Sequence, residues 1–252
     1  MLGWKIFAHS VRMVFGNLQQ VLQITVGPAL IGAVAIVAIF MALGIPPEVF
    51  ETSQTGFPEG VSTGSFLMFL FSAIAVILVI MFWIAVSWHR FILLEEYPSG
   101  ILPTFRFDRI LAYFGRLLLL GLMLIIGYFP AGMVLSAVGG GLALGLIIIY
   151  VLFLLVCFYR LSIILPAAAI GHPITLAEAW NSTRETGGAI LLMLLVAFVF
   201  QLIVQFLFTL LAFIPILGPL LSVFLGTLVL PMINVSILTT MYGIFIEKRE
   251  LT

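Results

Sequence analysis

The chain is 252 residues long, 63% hydrophobic and 8% charged, and its ten Lys and Arg balance ten Asp and Glu. Soluble domains carry about 25% charged residues, so this composition, with a mean hydropathy of +1.33, cannot build a surface suited to water. A basic patch for nucleic acid is absent, and the lone Cys157, set in an apolar run, excludes an intramolecular disulfide and reads as a buried thiol.

The first 20 residues, MLGWKIFAHSVRMVFGNLQQ, interleave Lys5 and Arg12 with apolar residues and end in no small-residue cleavage site. They do not read as a signal peptide. Residues 3–17 have helical spacing instead, with Lys5, His9 and Arg12 on one face and Trp4, Ala8, Val11 and Phe15 on another. Apolar runs long enough to span about 30 Å of hydrocarbon then fall at 22–43, 65–88, 116–137, 142–160, 189–213 and 220–243. The first pair is joined by the polar stretch 44–64, the second by VGGG at 138–141 and the third by IPILGP at 214–219. The expected fold is all-α: one six-span membrane domain over 1–252, built as three hairpins. Each hairpin follows a cytoplasmic interfacial amphipathic helix, at 3–17, 106–116 and 175–186.

Charge sets the expected orientation. In a six-span arrangement Lys5, Arg12, Arg90, Arg106, Arg109, Arg116, Arg160, Arg184, Lys248 and Arg249 all fall on one side, while the other has only Glu48, Glu51 and Glu59. Lys/Arg bias in short loops governs orientation, so both termini are expected in the cytoplasm.

The three units, 3–95, 105–170 and 175–249, read as repeats. In 106–116, Arg109, Tyr113 and Arg116 share a face, with Ile110 and Phe114 away from it. In 175–186, Thr175 and Glu178 form a capping-box pattern ahead of an apolar stripe of Leu176, Ala179, Trp180 and Thr183. A proline breaks or ends the first span of each unit: Pro28, Pro130 and Pro215.

Polar residues in two places are candidates for chemistry. His89, Arg90, Glu95, Glu96, Arg160 and His172 form a prospective cytoplasmic-face cluster, in which arginines would hold a phosphate and a histidine would move a proton. Arg160 reads as marking the exit of a helix from the bilayer, with an intramembrane site as the alternative. The apolar stretch 161–170 is then a bent continuation along the headgroup region. Gln201, Gln205 and Asn234, with Ser236, Thr239 and Thr240 near the last, form a prospective intramembrane cluster. Facing one another across the third hairpin, these amides would be bundle glue or the lining of a polar pathway. The three histidines show no metal-ligand spacing, no cofactor motif occurs, and no Asp or Glu lies mid-span.

The segment RLSIILPAAAIGHPITLAEAWNSTRETGGAILLMLLV, residues 160–196, resembles a module of bacterial multi-span membrane proteins. The membrane domain that accompanies some glycerophosphodiester phosphodiesterases is similar over 160–187. WHRFILLEE at 88–96 and FGNLQQVLQITVGPALIGAV at 15–34 resemble uncharacterised inner-membrane proteins of alphaproteobacterial type. The resemblance implies a bacterial cytoplasmic membrane and a six-helix domain. It implies no reaction, because no soluble phosphodiesterase domain is present to carry catalytic residues. The sequence thus points to a non-enzymatic scaffold or accessory subunit that contacts membrane lipids, other membrane proteins or a second copy of itself. The alternatives are a passive transporter or channel for a small solute or lipid, and a lipid-headgroup enzyme of the cytoplasmic face.

Overall fold

The computed structural model of the chain describes residues 1–45, 62–98, 100, 102–138 and 140–250. The expectations placed on Glu48, Glu51 and Glu59, and on Gly139 of the VGGG reversal, lie outside the described residues. Ten α-helices are described: α1 Leu2–Gly16, α2 Leu18–Ala42, α3 Thr63–Leu94, α4 Phe107–Val138, α5 Gly140–Leu161, α6 Ile164–Ile170, α7 Leu176–Ser182, α8 Gly187–Leu211, α9 Leu217–Phe224 and α10 Leu230–Phe245. One π-helical turn, Leu225–Val229, joins α9 to α10.

Among the described residues, six helical segments are long and apolar enough to cross a membrane: Leu18–Ala42, Thr63–Leu94, Phe107–Met133, Gly140–Ile170, Gly187–Leu211 and Leu217–Phe245. The protein is an all-α polytopic membrane protein. Helices suit that setting because each backbone N–H and C=O finds its partner within the same segment. Packing runs from α2 to α3, α4, α5, α8 and α9, and the π turn returns to α2, so the spans close into a ring. Within it α10 also packs on α3, α1 wedges against α8 and α10, and α6 packs on α3, α4 and α10.

The two ends of this ring differ. At the end that carries the arginines, α1, α6 and the adjoining ends of α3 and α10 form a tight core with Ile6, Trp88, Ile164, Met193 and Met241 almost wholly buried. At the other end, Ile125, Phe129, Leu142, Ile149, Phe198 and Phe206 are each more than half exposed. Those halves of α4, α5 and α8 present their apolar side chains outward, as expected where hydrocarbon is the solvent.

Several local expectations are corrected. Pro28 and Pro130 lie inside unbroken helices, α2 and α4. A membrane helix tolerates the missing N–H because neighbouring groups re-satisfy the freed carbonyl. Only Pro215 sits between helices. Residues 106–116 are not a separate helix, because Phe107 onward runs directly into the α4 span. Its Tyr113 turns inward with Ile110, rather than outward with the arginines. On α1 the buried face is Gly3, Ile6, Phe7, Ser10 and Val14, whereas Trp4 and Phe15 of the expected apolar face are exposed. Close approach decides this. A Cβ on Gly3 would lie 2.1 Å from the Ala189 carbonyl oxygen, so only glycine lets α1 sit this tightly on α8.

The stretch 161–170 does not run along the membrane surface. All ten of its residues are buried, and α6 forms a plug among α3, α4 and α10. Pro166 sits in its first turn, where no N–H is needed. Gly171 ends it at φ +88°, with its own N–H and that of His172 closing onto Ala168 and Ala167. A side chain at Gly171 would also meet the Arg109 guanidinium. The capping box at α7 forms as its pattern implies: Thr175 Oγ1 accepts from the Glu178 N–H, and Glu178 accepts from the Thr175 N–H. The Thr175 backbone and hydroxyl donors hold the Glu178 carboxyl below its usual range. Cys157, expected buried, is half-buried.

Candidate functional site

The polar groups with the most structure around them lie at the arginine-bearing end of α3. A helix turns its residues through about 100° each, so neighbours in the final turns of α3 diverge. Trp88 and His89 enter the core, completely buried, while Arg90 reaches outward to α6. His89 Nδ1 lies 2.8 Å from Thr239 Oγ1 on α10. Thr239 has one hydroxyl hydrogen and gives it to the Val235 carbonyl at 2.9 Å. In the tautomer with the proton on Nδ1, Thr239 accepts from His89 and passes its own hydrogen to Val235. His89 Nε2 is buried with no partner, and the hydroxyl of Ser236, one turn before Thr239, is likewise buried without one. A second hydroxyl pair, Ser10 and Thr240 at 3.0 Å, ties α1 to the same helix.

With Nδ1 protonated, Thr239 accepts from the imidazole, whereas a hydroxyl activated for attack donates to its base.

The second polar node centres on Glu96. Its carboxylate accepts from Arg90 Nε at 2.8 Å and from Arg106 Nε and Nη2 at 3.0 and 2.8 Å. Burial works to raise the Glu96 pKa, but the hydrogen bonds and charges of the two arginines outweigh it and hold the carboxyl below its ordinary value. Arg90 also donates to the Ala169 carbonyl at 3.2 Å, fastening the node to the end of α6. Beside it lies a cavity of about 10 Å³, lined by Ser87, Arg90, Glu96 and Thr104 among others, with room for one water at most. The Ser87 hydroxyl, buried and without a protein partner, borders it.

Other arginines at this end act on carbonyls in the same way. Arg116 donates to the Ile174 carbonyl at 3.1 Å. Arg249 reaches Ile92 and Leu93 at the end of α3, at 3.4 and 3.1 Å. Arg160 donates to the Trp180 carbonyl at 2.9 Å and to Thr183 Oγ1 at 3.2 Å, with its guanidinium carbon 3.5 Å above the Trp180 ring. Unpaired carbonyls at helix ends carry partial negative charge, and a guanidinium neutralises them.

Of the six cytoplasmic-face candidates, only Arg90 and Glu96 meet directly. His89 is sealed in the core beside them, and Glu95 is exposed in the left-handed residue that ends α3. Arg160 is committed to α7, and His172 is exposed after α6. Arg106 completes the node without having been singled out, since nothing in RFDR distinguishes it from the arginines around it. Among the described residues no three His, Cys, Asp or Glu side chains converge as metal ligands do.

The intramembrane candidates do not face one another. Gln201, Gln205 and Asn234 are all exposed on the outside of the bundle, and among the described residues none of their side chains has a hydrogen-bond partner. Thr239 and Thr240, by contrast, turn inward to His89 and Ser10. A cavity of about 200 Å³ near them is lined by His9, Thr239, Thr240, Arg249 and Glu250 and reaches none of the three amides.

Fold and site together define a class, the helical polytopic membrane proteins, with a polar network at one end whose groups mostly satisfy one another. No family model matches the chain, and no curated protein or solved structure is detectably similar to it.

Proposed function

We propose that this protein is a non-enzymatic scaffold or accessory subunit of a bacterial cytoplasmic membrane, with its basic end and both termini in the cytoplasm. The observation that carries the reading is the commitment of the polar groups at that end. Arg90, Arg106, Arg116, Arg160 and Arg249 are all engaged with helix carbonyls or Glu96, in a geometry that holds helices together. A headgroup enzyme would need some of those guanidinium groups aimed at substrate, and a base that receives a proton from a hydroxyl. The burial of α6 over its whole length among α3, α4 and α10 supports a structural role for that end of the bundle. The resemblance of 160–187 to bacterial membrane modules supports the same setting, and the one-sided distribution of Lys and Arg supports the orientation.

Purification in mild detergent, with mass spectrometry of the proteins that remain attached, tests the role. Stoichiometric partners are expected. A partner-free protein that carries a solute across liposomes would sink the reading. For orientation, in a Cys157→Ser background, an impermeant thiol reagent outside intact cells should label Thr55→Cys and spare Asn181→Cys. Labelling at 181 would reverse the third hairpin.

A further inference from the structure

We propose that the outward face of α8 is the seam of a homodimer, in which Gln201 and Gln205 pair with the same residues of a second copy. The inference goes beyond the accessory reading and does not depend on it, since an enzyme or a transporter would dimerise by the same chemistry.

The position of the amides carries the argument. At 1.5 Å per residue, Gln201 lies about 21 Å from the first residue of α8 and about 15 Å from the last, in the middle of the span, and Gln205 lies one turn nearer the last residue, about 9 Å from it. A glutamine side chain is too short to reach either interface from there. Its amide carries two donor hydrogens and two acceptor lone pairs that hydrocarbon cannot satisfy. Here both Gln201 and Gln205 face out of the bundle without a side-chain partner. They are not isolated, because Phe198, Gln201, Leu202, Gln205 and Thr209 are all exposed at i, i+3, i+4, i+7 and i+11. That spacing is a stripe along one flank of a broader exposed surface, which also takes in Val199, Ile203, Phe206, Leu207 and Leu210, and the polar side chains of that surface fall within the stripe.

The chemistry of the stripe selects its occupant. An acyl chain offers an amide nothing. A primary amide is its own complement, donating through nitrogen and accepting through oxygen, so a second Gln201–Gln205 pair satisfies the first. Copies inserted with the same orientation are related by a twofold axis along the membrane normal, and that axis brings equal depths together. Gln201 and Gln205 of one copy then meet Gln201 and Gln205 of the other without any change within the protomer.

The test uses the full chain with Cys157→Ser, in native membranes and in vesicles of bacterial phospholipid. Oxidation should join Gln205→Cys protomers at least tenfold faster than Ile149→Cys protomers, whose cysteine would sit on the equally exposed α5. Energy transfer between labelled copies in vesicles should persist on dilution with lipid. Gln201→Leu with Gln205→Leu should raise the dissociation constant about tenfold, while the thermal unfolding of each protomer stays unchanged because neither side chain packs within it. Equal cross-linking at 205 and 149 would overturn the proposal, as would energy transfer no greater than chance proximity. A cross-link from 205 to a different protein, with the purified chain monomeric, would overturn it too.

Discussion

His89 and Thr239, 150 positions apart in the chain, share the hydrogen bond that locks α3 to α10 at the centre of the packed end. With the proton on His89 Nδ1, the two partners are unequal. Thr239→Val strands a buried N–H and should cost about 1–3 kcal/mol. His89→Phe removes the donor together with the unpartnered Nε2 and should cost less. Adding His89→Phe to Thr239→Val should therefore recover part of the loss, as read by thermal unfolding in detergent. An additive double variant would mean that the two residues are not coupled.

Glu96 confers a dependence on acid. Its folded pKa is depressed, so its stabilisation is fully present above the unfolded value, near 4.5, and is lost as pH falls through the folded value. Unfolding temperature should drop across that acid range in the natural protein. Glu96→Gln should lower it at neutral pH by the equivalent of about 1–2 kcal/mol and flatten the acid limb. An unchanged acid limb would assign the effect to other carboxylates.

Gly3 tests the seating of α1. The backbone oxygen of Ala189 and the nitrogen of Met193, 2.1 and 2.9 Å from an added Cβ, have no flexible side chain to yield. Gly3→Ala should destabilise the α1–α8 contact by about 1–3 kcal/mol and, by loosening α1, speed trypsin cleavage after the exposed Lys5. Gly16→Ala, where a Cβ meets nothing, is the matched control. Equal cleavage in the two variants would place α1 elsewhere.

Arg160→Lys keeps the charge yet loses both the flat stack on Trp180 and the paired contacts to Trp180 and Thr183. A loss of about 1–2 kcal/mol is expected, accompanied by a change in Trp180 fluorescence. Full retention of both would show that the stack contributes nothing.

Much of the architecture was legible in the sequence because spanning a bilayer demands some twenty apolar residues, a requirement local enough to read directly. The Thr175–Glu178 cap was legible for the same reason, since its partners are three residues apart. What could not be read is which side of an apolar helix faces its neighbours. When nearly every residue of α8 is hydrophobic, periodicity carries no direction, so the outward turn of Gln201 and Gln205 was hidden. The ten residues after Arg160 suited a surface helix and a buried plug equally well. Only contact with α3, α4 and α10 separates the two. His89 has its partner in another helix, and no spacing rule connects them.

The π turn at Leu225–Val229 has a consequence for α10. Its wide loop closes where the Leu230 N–H reaches the Leu225 carbonyl, just ahead of Pro231, which has no N–H to give. One extra residue is absorbed there without lengthening the span, and everything downstream is shifted in rotational phase. In a regular helix each residue turns the axis by about 100°. Regularising that turn at unchanged chain length would swing Thr239 and Thr240 by about 100° away from His89 and Ser10, whereas deleting one residue between 225 and 229 would straighten the sixth span and leave them in place. The alignment of the polar face at one end of the molecule is thus set by a winding irregularity more than two turns earlier.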